Sequence, residues 1–144
     1  MKLDILHQPD SAIAKIQMSP REEIIAEAGA MVAMSGHMEV DTTLRKGKGG
    51  GILGGIKRAL AGESLFLSTF RSGNQDAEIY LAPKLMGDIL PYMLNGNELV
   101  VQSTAYLAST GNVDIDLGFQ GFKSFFSGES IFWLTASGQG LVLL

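Results

Sequence analysis

The sequence predicts an all-β protein, on three observations. A thirteen-residue signature occurs twice, Gly55-Ile-Lys-Arg-Ala-Leu-Ala-Gly-Glu-Ser-Leu-Phe-Leu67 and, 66 residues on, Gly121-Phe-Lys-Ser-Phe-Phe-Ser-Gly-Glu-Ser-Ile-Phe-Trp133. A nineteen-residue stretch, Glu23 to Asp41, aligns without a gap 75 residues further along on Glu98 to Asp116. Finally, short runs alternate apolar with polar residues between glycine-rich turns, and long patterns of helical period are missing. Two similar β-layered units fused into one sandwich-like body are expected, about 11–72 and 76–144, within a single domain spanning 1–144.

The elements follow in order. Ala14, Ile16 and Met18 alternate with Lys15 and Gln17, the period of a half-buried strand. Ser19-Pro20-Arg21 supplies a turn, proline presetting φ. Propensity alone would allow a helix from Glu23 to Val32. The aligned residues Leu99-Val100-Val101 favour a strand, and a shared backbone carries that preference to both copies. Asn95-Gly96, just before them, reads as a two-residue hairpin turn. Gly36 and Gly111 mark a common turn, followed by Met38-Glu-Val-Asp41 and Val113-Asp-Ile-Asp116.

Beyond this point the copies differ. Thirteen residues, 42–54, lead to the first signature and only four, 117–120, to the second, so copy one carries a nine-residue insertion rich in Gly and Lys. Each signature predicts a short helical turn, 56–61 or 122–127, capped by Gly62 or Gly128. Strands follow from Ser64 to Phe70 and from Ser130 to Ala136, apolar on both faces, and Phe66, Phe125, Phe126 and Trp133 read as core. Ser72 to Asp76 is a polar turn, after which Glu78 to Pro83 is expected to open the second unit. Pro91 argues against a helix over 84–94. The final Gly140-Leu-Val-Leu-Leu144 aligns with the opening strand of a possible third unit.

Bulk composition bounds function from outside. Of 144 residues, 46% are hydrophobic and 18% charged, with a mean hydropathy of +0.19. Such a surface suggests apolar area covered by a partner, most simply another copy. With no cysteine, disulfides, thiolate metal sites and thiol nucleophiles are excluded. No apolar run reaches the length of a spanning helix, and Asp4 interrupts what would be a signal-peptide core. A cytoplasmic location is expected, with membrane association left open.

The most tempting functional stretch is the Gly-rich loop 45–58. Arg45, Lys46, Lys48, Lys57 and Arg58 are five of the eleven basic residues, and no acid lies between Asp41 and Glu63. Such a loop suits phosphate, nucleic acid or an anionic lipid surface. The bland alternative is a solvated loop or a subunit contact. Gly49, Gly51 and Gly54 meet a dinucleotide-binding pattern in form only, because an all-β chain has no βαβ unit. Net charge of −4 and a pI near 5.1 also oppose the usual footprint of an RNA binder.

The repeated Gly62, Glu63, Ser64 and Gly128, Glu129, Ser130, with Lys57 and Lys123, are read as scaffold, since a duplicated frame repeats its framing residues. His37 aligns with Asn112 and reads as a turn residue; His7 is the other histidine. Glu39 with Asp41, and Asp114 with Asp116, place two carboxylates each on a strand face, short of the oxygen set a hard cation needs. Neither a metal site, a cofactor nor a catalytic residue is assigned.

The signatures at 54–67 and 120–129, with Val101-Gln-Ser103, resemble the mitochondrial biogenesis AIM24 family over nearly the whole chain. That resemblance implies a fold similar to the tryptophan RNA-binding attenuation protein, built from repeated β units. It also implies a link, through a fungal relative, with inner-membrane organisation, and no established enzymatic role. Family members usually continue through most of a third unit, so an exposed edge strand is expected at 140–144, covered by self-association. The expected function is therefore a non-catalytic oligomeric β scaffold serving a protein or membrane-associated partner. Anion or RNA binding through 45–58 is the alternative, and a small-molecule enzyme is a third, weaker one.

Overall fold

A computed structural model describes residues 1–44, 66–116 and 133–144. Alternation makes the first strands. Leu3 and Ile5 pack inward between Lys2 and Asp4 on β1 (Lys2–Leu6), a strand not anticipated above. Ala14, Ile16 and Met18 are buried on β2 (Ile13–Met18), as the sequence predicts. The segment that propensity left ambiguous forms two strands, β3 (Glu23–Glu27) and β4 (Met31–Met34). Next come β5 (Glu39–Leu44), β6 (Phe66–Arg71) and β7 (Ala77–Leu81). The chain ends with β8 (Pro91–Gln102), a single 3-10 turn at Ser103–Ala105, β9 (Ala108–Thr110), β10 (Val113–Asp116) and β11 (Trp133–Leu143).

Among the described residues all strand pairings are antiparallel and form two sheets. One runs β1-β2-β7-β4 and the other β10-β11-β9-β3-β6-β5, with β8 along the remaining edge of β11. Because Ser137 pairs with both Glu98 and Asp114, and Leu143 with both Pro91 and Ala108, β10 and β9 follow each other along one side of β11. The ladders repeat at the offsets of the sequence alignment. Glu23 faces Arg71 as Glu98 faces Ser137, and Asp41 faces Thr69 as Asp116 faces Thr135.

Strand β3 joins the halves. It pairs with β6 on one side and with β9 on the other, in the register Ile24↔Thr110, Ile25↔Ser109, Ala26↔Ala108. Its side chains enter two cores. Ile24 and Ala26 pack with Ile16, Phe70, Ile79 and Leu81 against the four-stranded sheet. Ile25 packs with Leu67, Val101, Val113, Leu134 and Ala136 on the opposite side. Each of the buried Ile, Leu, Val and Phe side chains contributes about 1.5–3 kcal/mol of transfer free energy. Tyr106 adds a polar tie, its hydroxyl donating to the Ile25 carbonyl at 3.1 Å inside the second core.

Four expectations are corrected. Asn95-Gly96 is not a hairpin turn: β8 runs through it, because residues on both sides pair with the same strand, β11. A register shift at Ser137/Gln139 absorbs the bend, with Gly96 at φ 88° and Gly138 at φ 111°. Residues 140–143 are not an exposed edge, since β11 lies between β8 and β9 and Val142 and Leu143 are fully buried. Trp133 is not core; it lies on the exposed side of β11, while its neighbour Leu134 is buried. Glu78 to Pro83, expected to open a second unit, falls largely in β7, which pairs with β2 and β4 in the first sheet. Pro91–Asn95 then stands to β11 as β2 stands to β7. Pro91 itself begins a strand, a position that needs no donor from its nitrogen.

The bend gives a first prediction. A Cβ on residue 138 would lie 2.6 Å from the Asn112 carbonyl oxygen, at a φ that L side chains rarely adopt. Gly138→Ala should therefore destabilise the chain by about 1–3 kcal/mol, as backbone strain of this kind does. Urea unfolding followed by circular dichroism measures it; an unchanged midpoint would contradict the role of the bend. Tyr106→Phe should cost roughly 1–2 kcal/mol in the same assay, because a buried carbonyl loses its donor.

Candidate functional site

The residues singled out by sequence fall into two groups. Arg45, Lys46, Lys48, Lys57 and Arg58 lie outside the described residues, as do Gly62, Glu63, Ser64, Gly128, Glu129, Ser130 and both predicted helical turns. The strand carboxylates are described and are not brought together. Glu39 and Asp41 sit on β5 and Asp114 and Asp116 on β10, at opposite ends of the seven-stranded sheet. Among the described residues there is no cluster of three or more His, Asp and Glu placed to hold a metal ion. His37 occupies the Gly36 turn, its Nε2 3.1 Å from the Asp76 carbonyl oxygen, and His7 is exposed.

Two polar groupings were not legible as such. A shallow groove of ≈ 330 Å³ is lined by Arg21, Glu22, Glu23, Glu39, Arg71 and Asn74. Its charges largely answer one another: Arg71 Nε lies 3.2 Å from Glu23 Oε2, and the Met1 amino group 2.7 Å from Glu22 Oε1. Glu22 also accepts from the Ser19 N–H, and buried Ser72 donates to the Ser19 carbonyl. These contacts fix the β2–β3 and β6–β7 connections to one another. They offer no nucleophile beside a base.

The second grouping crosses β2 and β7 on the outer face of the four-stranded sheet. Glu78 accepts from Gln17 Nε2 at 3.1 Å, from Lys15 Nζ at 3.1 Å and from the Tyr80 hydroxyl at 3.2 Å. The bonds from Gln17 and Lys15 hold its carboxyl below its ordinary pKa. In return the bonds to Glu78 and Tyr80 raise Lys15, whose ammonium lies 5.6 Å from the Tyr80 ring centroid. A solvated cross-strand cluster of this kind fixes register and does little chemistry.

The apolar surface is the more distinctive feature. Met31 and Val32 on β4, Val100 on β8 and Trp133 on β11 are all exposed, as are Leu85 and Met86 in the 82–90 connection. Val100 and Trp133 share the outward face of the β8–β11 ladder, since their partners Thr135 and Gln102 alternate with them. The sequence signal was present as two-faced apolar strands; which face stays open depends on the packing of the halves.

A family model for mitochondrial biogenesis AIM24 matches residues 3–144. An uncharacterised protein of Streptococcus pyogenes serotype M6 is 27% identical over 149 residues, a match covering 99% of this chain and 59% of the relative. The X-ray crystal structure of a Streptococcus pyogenes protein superposes with a TM-score of 0.71 at 22% identity, over 99% of this chain and 62% of that one. At that identity the likeness is one of fold. The chain thus spans about three-fifths of the length of both. No helix among the described residues is long and apolar enough to cross a membrane.

The Glu78 cluster provides a titration test. A carboxyl with a lowered folded pKa stabilises the protein above its unfolded pKa, and that stability is lost as pH falls through the folded value. A lysine with a raised pKa acts at the alkaline end, its contribution being lost as pH rises through the folded value. By carbon-detected NMR, Glu78 should titrate below 4.5, the ordinary value, and Gln17→Ala or Lys15→Met should each move the midpoint upward. A midpoint at or above the ordinary value in the unmodified chain would refute the arrangement.

Proposed function

The chain belongs to the mitochondrial biogenesis AIM24 family, and from that premise we propose that it is a non-catalytic, self-associating β scaffold that presents loops to a protein or membrane-associated partner. The observation that carries this reading is the set of large apolar side chains on strand surfaces, Met31, Val32, Met93, Val100 and Trp133, in a chain with 18% charged residues. Strand residues of this kind, presented to water on a sheet face, are what an assembling β protein covers. The two ladder sets, 13–81 and 91–143 by their registers, are the units of the scaffold on this reading.

A second reading keeps the basic loop. Five of the eleven basic residues fall in 45–58, with no acid between Asp41 and Glu63, and such a loop suits an anionic ligand. RNA and anionic lipid share the phosphate chemistry.

Size-exclusion chromatography with light scattering tests the scaffold. A mass of several times 15.4 kDa at micromolar concentration is expected, and a stable single-chain mass would overturn it. For the second reading, reversing the charge of Lys46, Lys48, Lys57 and Arg58 should abolish any shift of a phosphate-bearing ligand and flatten its salt dependence. Binding that survives the reversal, or none at low salt, would remove that idea.

A further inference from the structure

The seam between β3 and β9 has a counterpart at each end of the molecule. Shifting β3 by the 75-residue offset gives residues 98–102 of β8, and shifting β9 back by the same offset gives residues 33–35, the last two residues of β4 and Ser35. Inside the chain these two strand types pair with each other. At the ends they do not: among the described strands β4 pairs only with β7, and β8 only with β11.

Burial follows the same division. Ile25 is 1% exposed and Val100, its counterpart, 45%; Leu67 is 2% exposed and Trp133 40%. On the other partner, Tyr106 and Leu107 are each 3% exposed, whereas Met31 and Val32 in their places reach 41% and 57%. The residue types stay apolar where the cover is missing.

The remaining outer strands are protected. Lys2 and Asp4 on β1, Glu39 and Asp41 on β5, and Asp114 and Asp116 on β10 put charges on their sheet edges, the usual guard against pairing. Met31-Val-Ala-Met34 carries neither charge nor proline, and residues 98–102 carry only Glu98, the counterpart of Glu23 inside the seam. Among the described strands the least guarded edges are the two that correspond to the internal seam.

We propose that a second copy of this chain docks head to tail, its β4 adding to the outer edge of residues 98–102 in the register Leu99↔Ser35, Val100↔Met34, Val101↔Ala33. This deepens the scaffold reading and rests on it. The bulge at Val32 fits the arrangement. In its place inside the chain, the Leu107 carbonyl accepts the Glu27 N–H at 3.0 Å, so the Val32 carbonyl takes the Gln102 N–H of the neighbouring copy. Docking also covers Val100 and Trp133 as Ile25 and Leu67 are covered. The contact is heterologous: each copy offers one edge of each kind, and repetition closes into a ring or extends as a filament.

The absence of native cysteine makes the register directly testable. Directly opposed antiparallel residues place their Cα atoms about 4.5–5.5 Å apart, within disulfide reach. On mild oxidation, full-length Met34→Cys/Val100→Cys should form a ladder of covalent multimers. Each single variant should remain uncrosslinked, and a mixture of the two singles should stop at dimers. Val100→Lys should reduce the mass by light scattering to one chain while keeping the folded circular dichroism spectrum. Efficient dimers from either single variant alone would show like-with-like pairing and overturn the proposal. An oligomer by light scattering that does not crosslink in the double variant would overturn this register and leave the scaffold reading standing. A single-chain mass throughout would overturn both.

Discussion

Strand β3 is the constraint on which the described structure depends. Five residues, Glu23–Glu27, hold two ladders and two cores at once. Because successive side chains of a strand point to opposite faces, Ile24 and Ala26 must enter one core and Ile25 the other. A one-residue slip of β3 against β6 would exchange those faces and carry Glu23 or Glu27 into the place of Ile24 or Ala26, so the charge at each end of the strand holds the register. Tyr106 reinforces the choice from the side, since its hydroxyl meets both the Ile25 carbonyl and Ser109 Oγ within the seam. Polar groups so deeply buried specify a register more sharply than they stabilise it, because the alternatives leave them unsatisfied.

The two halves solve one packing problem with different backbones. In the first, Ser72 to Asp76 separates β6 from β7, and Gly73 takes a positive φ in the turn. In the second, the corresponding path is a single strand, β11, that bends at Gly138 opposite the bend at Gly96 of β8. Both arrangements carry the chain from one set of neighbours to another. A turn does so by breaking the ladder, a paired bulge by bending it, and the paired bulge requires glycine in both partners when the crossing is close. Gly140 belongs to the same device, as a Cβ there would run into Thr110 Oγ1.

Much of the fold was legible, for identifiable reasons. The alternation of Ala14, Ile16 and Met18 needs only one buried face to be visible, and β2 has one. Glu23 to Val32 reads as helical by propensity, but the aligned Leu99-Val100-Val101 corrects that local signal. Asn95-Gly96 misled because the local chemistry of a tight turn equally suits a bulge; only the partner strand distinguishes them. Trp133 misled because an apolar residue on a two-faced strand does not disclose which face the rest of the chain covers. The candidate site was less legible still. Charge in 45–58 can be counted in a sequence, whereas an uncovered sheet edge is defined by what does not pair with it.

Edge pairing between like units has a consequence independent of how many units a chain contains. Each joint consumes one strand of the β3 kind and one of the β9 kind, so a linear run always keeps one of each, at opposite ends. Charging those ends would blunt them, as Glu39, Asp41, Asp114 and Asp116 blunt the other edges. Yet the same charges would spoil the joint wherever the unit is internal: a carboxylate in place of Ile25 or Val101 would enter a core with no cation among its buried members. A protein built this way can cover its ends with a further unit, with another copy, or with terminal residues that differ from the internal ones. Here Leu99, Val100 and Val101, like Met31 to Met34, retain the apolar character that Ile24, Ile25 and Ala26 have at the β3–β9 joint.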